Sequence, residues 1–146
     1  MAAYIVEQVS GMNWLDYAEK NILTPLAMTS TTFRQPVPLR LKSSLSKGYT
    51  FSNGEFVEKP FEYVPLAPVG AASTTAVDMA NFMIAHLQNG AFESLTILDS
   101  ATSSLMQSPA FQQAPHVNPM RYGFIDMSQN GEEVIGHGGD TFWFHS

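Results

Sequence analysis

The sequence contains no cysteine. That excludes disulfides, thiolate metal sites and a cysteine nucleophile, and leaves the compartment open. Basic residues are scarce: seven Lys plus Arg stand against thirteen Asp plus Glu, for a formal net charge of −6, and no basic cluster or stripe occurs. This balance argues against nucleic acid or an anionic membrane as the main partner. Long hydrophobic runs are also missing, since no stretch approaches the ~20 apolar residues of a membrane span. The opening Met1-Ala2-Ala3-Tyr4-Ile5-Val6-Glu7 lacks the basic segment and long apolar core of a signal peptide. What is present is 146 residues, 45% hydrophobic and 12% aromatic. Such a chain has the length of one domain and enough apolar material for a core.

Periodicity predicts a short first helix with Tyr4, Ile5, Val6 and Val9 on one face, stopped by Gly11. Asn13 is placed to cap a second helix that buries Trp14, Leu15, Ala18, Ile22 and Leu23, with Pro25 just past its end. Residues 29–72 read as mostly irregular, with five prolines, and a loop-rich stretch of that length usually lies over a cleft. Within it, Tyr49-Thr50-Phe51 and Phe56-Val57 are expected strands joined through Ser52-Asn53-Gly54-Glu55, because Asn-Gly favours a tight turn. Thr75 and Asp78 mark a third helix start, with Val77, Ala80, Met83, Ile84 and Leu87 as its apolar stripe and Gly90 as its end. A shorter helix is expected over about 100–107, before Pro109. Tyr122 to Met127 and Val134 to His137 read as a hairpin around Asn130-Gly131, and Phe142 to Phe144 as the start of another strand.

Five groups of residues invite a chemical reading. His137-Gly138-Gly139 follows an expected strand, so a polar side chain stands beside bare backbone. The glycines would admit a substrate carbonyl, and the Asp140 amide would donate to a developing oxyanion; the plainer reading is a tight bend with a surface histidine. Ser44-Leu45-Ser46-Lys47 formally matches S-x-x-K, in which one helical turn brings the lysine amine to the serine hydroxyl. Here Lys47 runs into Gly48 with no helical apolar stripe, so chance is the better explanation. Phe51-Ser52-Asn53 resembles Y-x-N but has no phenol to relay a proton. Ser73-Thr74-Thr75 lacks a G-x-S-x-G elbow, and capping accounts for its hydroxyls. His137, Asp140, His145 and His116 have no recognised metal-ligand spacing, so no metal site is assigned.

Five segments, in order, resemble the C-terminal part of the beta-lactamase-related serine hydrolases, a superfamily that includes class C beta-lactamases, D-alanyl-D-alanine carboxypeptidases and esterases. Residues 4–11 look like the helix that follows the family's Y-x-N element. Ile22-Leu23-Thr24-Pro25-Leu26-Ala27-Met28-Thr29-Ser30-Thr31 resembles "I-x-x-P-L-G-M-x-x-T", and Lys47-Gly48-Tyr49 resembles "x-G-Y". Residues 68–80 resemble "P-A-G-G-L-x-S-T-A-x-D-L-A". Gly136-His137-Gly138-Gly139 resembles "G-H-G-G", this family's version of the Lys-Thr-Gly element.

The resemblance implies an α+β fold of the α/β sandwich type, in which helices pack on part of an antiparallel sheet. It puts His137 at the Lys-Thr-Gly lysine position, makes Gly138, Gly139 and Asp140 the substrate-binding backbone, and gives Asp140 an oxyanion-hole amide. The implied reaction is acyl transfer through a serine acyl-enzyme on an ester, lactam or peptide bond, with no metal or organic cofactor. It also implies that residues 1–146 form a partial domain: the S-x-x-K and Y-x-N region and the final strands and helix fall outside them, so the chain alone is expected to be inactive. Family members are often periplasmic or secreted. The alternative is a non-catalytic binding module on the same fold, associating through unpaired sheet edges and exposed apolar faces.

Overall fold

The computed structural model describes all of residues 1–146. The chain divides into two compact units, Met1–Ile84 with Gly139–Ser146, and Ala85–Gly138.

In the first unit, α1 (Ala2–Ser10) closes on Gly11 at φ 68, whose N–H donates to the Glu7 carbonyl at 2.9 Å. Asn13 caps α2 (Trp14–Ala18) as expected, its side chain accepting from the Leu15 amide at 3.0 Å. The Glu7 carboxylate accepts from the Trp14 amide at 2.9 Å, so a further donor at the helix start is satisfied. A π-helical turn, Glu19–Leu23, continues α2. Ala18, Leu23, Leu26 and Met28 are buried here and, with Ala71, supply this unit's small apolar core. Arg34 grips the helical segment from outside, with Nε on Glu19 Oε1 at 2.7 Å and Nη2 on Asp16 Oδ1 at 2.5 Å. Beside it, Phe33 meets the Trp14 ring edge-on at 4.9 Å.

After α3 (Leu39–Lys42), strands β1 (Gly48–Ser52) and β2 (Glu55–Lys59) pair antiparallel, Phe51 opposite Phe56 and Ser52 opposite Glu55. Asn53 (φ 51) and Gly54 (φ 86) both take positive φ, the type I′ geometry that the Asn-Gly pair promises. A short α4 (Ala67–Gly70) leads to α5 (Ala76–Leu87). Thr75 does cap α5, its hydroxyl accepting from the Asp78 amide at 3.2 Å.

The apolar stripe of α5 faces outward. Val77, Met83, Ile84 and Leu87 are exposed, as is Ala80, while Asp78 is 5% exposed. Hydrogen bonding to the segment at 26–32 sets the helix's rotation. Asp78 Oδ2 accepts from the Ser30 amide (2.8 Å) and the Thr31 hydroxyl (2.7 Å), and Asn81 Nδ2 donates to the Leu26 carbonyl at 2.9 Å. Thr32 and Ser73 exchange backbone bonds at 2.9 Å beside this clasp. A buried carboxylate with two donors is costly to unpair, so the polar face turns inward and the apolar stripe outward. Tyr4, Ile5 and Val9 of α1 are likewise exposed.

In the second unit, Gly90 (φ 92) ends the α5 helix, donating to the Ala85 carbonyl at 2.8 Å. A β-carbon there would lie 2.0 Å from the Leu98 carbonyl oxygen, so only glycine fits. Strands β3 (Ala91–Phe92) and β4 (Leu95–Thr96) pair, and Asp99 caps α6 (Ser100–Gln107) through the Thr102 amide at 2.9 Å. Strands β5 (Ile125–Asp126) and β6 (Ile135–Gly136) pair around Asn130 (φ 55) and Gly131 (φ 83), at the expected place though shorter than expected. Arg121, 8% exposed, anchors this unit. Its guanidinium bonds Asp126, the Gln107 carbonyl and Glu133 Oε1, the last at 2.8 Å. Those bonds, the Arg121 bond first and then the Ser128 bonds, pull the Asp126 carboxyl down to about 2.

The architecture is therefore α+β, with helices and small two-stranded antiparallel sheets. No helix is long and apolar enough to cross a membrane.

Candidate functional site

His137 stands exposed just past β6. Its Nδ1 lies 2.6 Å from the Gly138 carbonyl oxygen. A carbonyl only accepts, so this bond puts a proton on Nδ1 and leaves Nε2 of the neutral ring as the available acceptor. Strand pairing through Gly136 holds the preceding backbone, and a β-carbon at Gly136 would press on Met127 Sδ at 3.1 Å.

The boundary between the two compact units falls between Gly138 and Gly139, so His137 and Asp140 belong to different units. Gly139–Ser146 forms a tight hairpin of its own. Gly139 and Ser146 exchange backbone bonds at 2.9 and 2.8 Å, and the Thr141 amide donates to the Phe144 carbonyl at 2.9 Å. Asp140 and His145 lie opposite each other between those pairs. In an antiparallel ladder such an intervening pair turns its N–H groups outward, so the Asp140 amide points away from the hairpin. The Asp140 carboxylate accepts from His145 Nδ1 at 2.7 Å, with both side chains exposed. No group of three metal-ligating side chains forms here or elsewhere in the chain.

Residues 142–144 do not begin a strand. Phe142 and Trp143 are the turn of this hairpin, because Thr141 and Phe144 bond across it. The turn is seated within the first unit. Trp143 lies against Gly48 of β1, Lys59 sits over the Trp143 ring at 5.7 Å, and the Phe142 amide donates to Glu62 Oε2 at 2.9 Å. Nothing in the local sequence pattern points to Gly48, Lys59 or Glu62 as supports of the segment at 139–146.

The S-x-x-K match does not form a serine–lysine pair. Residues 44–47 follow the end of α3 in non-helical backbone. Lys47 Nζ is ion-paired with Glu58 Oε2 at 2.8 Å, and that hydrogen bond raises its pKa. An ammonium held in this way is a poorer proton acceptor for a serine hydroxyl. Ser73 spends both backbone polar groups on Thr32, and Thr75 caps α5, as expected for a structural role. Two shallow surface depressions, one at Glu7, Gln8, Gly11, Met12 and Asn13 and one beside Arg121 and the turn at 128–133, include none of Ser44, Ser73 or His137.

Helices, small antiparallel sheets and the ordered motifs together define a chain of the serine-hydrolase type of fold. A beta-lactamase family model matches residues 1–146, and the chain belongs to that family. Solved structures with this fold include the octameric penicillin-binding protein homologue from Pyrococcus abyssi, which is 23% identical with a TM-score of 0.75 over 94% of this chain and 31% of that one. The penicillin-binding protein from Bacillus halodurans is 19% identical (TM-score 0.68; 94% of this chain, 41% of that one). The D-amino acid amidase from Ochrobactrum anthropi SV3, complexed with D-phenylalanine, is 23% identical (TM-score 0.64; 95% and 42%). The chain thus spans 31% to 42% of the length of these structures. No curated protein matches the sequence.

Proposed function

We propose that residues 1–146 form one wall of an acyl-transfer site in a serine hydrolase. His137 occupies the position of the Lys-Thr-Gly lysine, Gly138 and Gly139 let substrate backbone approach, and the Asp140 amide donates to the oxyanion of the tetrahedral intermediate. A serine activated by a lysine, both from outside these residues, attacks an ester, lactam or peptide carbonyl. The acyl-enzyme forms as the leaving group departs, and water releases the acid. The reaction in this scheme needs no metal or organic cofactor.

The outward-turned Asp140 amide, three residues after an exposed imidazole, is the observation that carries the proposal. The engagement of Lys47 by Glu58 supports a nucleophile supplied from elsewhere; in this reading residues 1–146 are a partial domain, inactive alone. The 146-residue protein is expected to hydrolyse neither nitrocefin nor p-nitrophenyl butyrate above the buffer rate. Strong turnover abolished by Ser44→Ala would overturn the proposal.

A second reading, a non-catalytic module that associates with other chains, is favoured by the exposed apolar faces of α1 and α5. One similar structure is an octamer, which supports self-association as the form of that association. A monodisperse monomer in light scattering, with no binding of a hydrophobe-sensing dye, would count against it.

A further inference from the structure

We propose that the protein pairs with a second copy of itself through the outer edge of β1, forming a four-stranded antiparallel sheet in the order β2–β1–β1–β2. The proposal rests on the self-association reading above and names the edge and the register.

The β1–β2 hairpin is a two-stranded sheet by itself, and neither strand makes a backbone ladder on its outer side. Two strands alone are marginal in water, and an open edge is a template for another strand. The two edges differ in chemistry. The outer strand β2 carries Glu55, Glu58 and Lys59, charges of the kind that discourage pairing, whereas β1 reads Gly48-Tyr49-Thr50-Phe51-Ser52 with no charge and no proline.

The register follows from the turn. A two-residue type I′ loop makes Ser52 and Glu55 a hydrogen-bonded pair. Alternation along β1 then points the backbone N–H and C=O of Tyr49 and Phe51 outward. A two-fold axis through Thr50 sets Tyr49 of each copy opposite Phe51 of the other, so the outward groups of both residues meet and exchange both backbone bonds. The same register stacks aromatic side chains. Tyr49, Phe51 and Phe56 are 47%, 67% and 75% exposed and share one face of the hairpin, with Phe51 and Phe56 rings 5.2 Å apart. Pairing places Tyr49 of the second copy next to Phe51, so the aromatic row of Phe56, Phe51 and that Tyr49 crosses three strands and ends beside Glu58 on the fourth. Aromatic cross-strand pairs are among the favourable ones in sheets.

A cross-linking experiment tests the register, because the chain has no cysteine of its own. On the two-fold axis, Thr50 faces itself at a non-hydrogen-bonded position, where Cα atoms lie about 4.5 Å apart and a disulfide can close. Thr50→Cys is expected to form a covalent dimer at least about tenfold faster than Val57→Cys, on the other strand, under the same mild oxidant. Light scattering of the unmodified protein is run beside it and is expected to show a concentration-dependent dimer. Equal cross-linking rates with a dimer still present overturn the β1 edge and leave self-association standing. A monomer at every concentration overturns both.

Discussion

Trp143, in the turn of the last hairpin, lies directly on Gly48 of β1. A β-carbon built at residue 48 would sit 2.6 Å from Trp143 Cβ. The contact seats the segment that contains Asp140, so a buried glycine in a strand far away in sequence positions the proposed oxyanion donor. Gly48→Ala is expected to destabilise the protein by about 1–3 kcal/mol through overpacking. Urea unfolding measures this, and adding Trp143→Gly, which removes the clashing Cβ itself, should recover part of the loss. Equal unfolding midpoints for Gly48→Ala and the unmodified protein would show that the turn has room to move.

Asp78 ties α5 to Ser30 and Thr31. Replacing it with alanine takes the acceptor from the half-buried Ser30 amide and leaves the buried Thr31 hydroxyl only Thr74 as a partner, at an expected cost of about 1–3 kcal/mol. Thr31→Ala should cost less. The double variant should fall short of the sum, because both substitutions remove the same bond. Strict additivity in thermal unfolding would argue that the two residues act separately.

The Asp126 carboxyl, held at about 2 by Arg121 first and Ser128 next, sets an acid limb to stability. An unfolded aspartate titrates near ~3.9, so between about pH 4 and pH 2 the unfolded chain binds more protons than the folded one. The stabilisation is complete above that window and is lost as pH falls through it. Asp126→Asn should lower the urea midpoint at pH 7 and flatten its fall between pH 4 and pH 2. A variant whose acid limb matches that of the unmodified protein would remove Asp126 as its source.

Ser44→Ala and Lys47→Met are expected to leave hydrolysis of nitrocefin and p-nitrophenyl butyrate at the buffer rate, where the unmodified chain also sits. Lys47 holds an exposed cross-strand pair with Glu58, and such pairs add little to stability. Thermal midpoints within error of the unmodified protein are therefore the expected result. A variant that lost a measurable activity would restore the S-x-x-K reading.

Local signals carried over well wherever the cause was local. Asn13 caps α2, Thr75 caps α5, Gly11 and Gly90 end helices, and Asn53-Gly54 and Asn130-Gly131 make their turns. Each of those outcomes depends on the φ preference or hydrogen-bonding reach of a few adjacent residues. The apolar stripes of α1 and α5 did not translate into core faces. Periodicity reports which side of a helix is apolar, but Asp78 and Asn81 found partners in a distant loop and turned the helix the other way. The expected strand at 142–144 became a turn for a similar reason, since Phe142 and Trp143 are held by Glu62 and Gly48 from elsewhere in the chain.

The sequence by itself determined the family, through five motifs in order, and the caps and turns that punctuate the fold, because these are written in residues close together along the chain. Only the tertiary structure decided that Lys47 is engaged by Glu58, that the turn at Phe142 and Trp143 is held by Glu62 and Gly48, and that α5 buries its polar side. Each of these is a pairing between residues that meet only after the chain has folded. A buried or charged polar group takes whichever partner the packing brings within reach, and no local pattern encodes that choice.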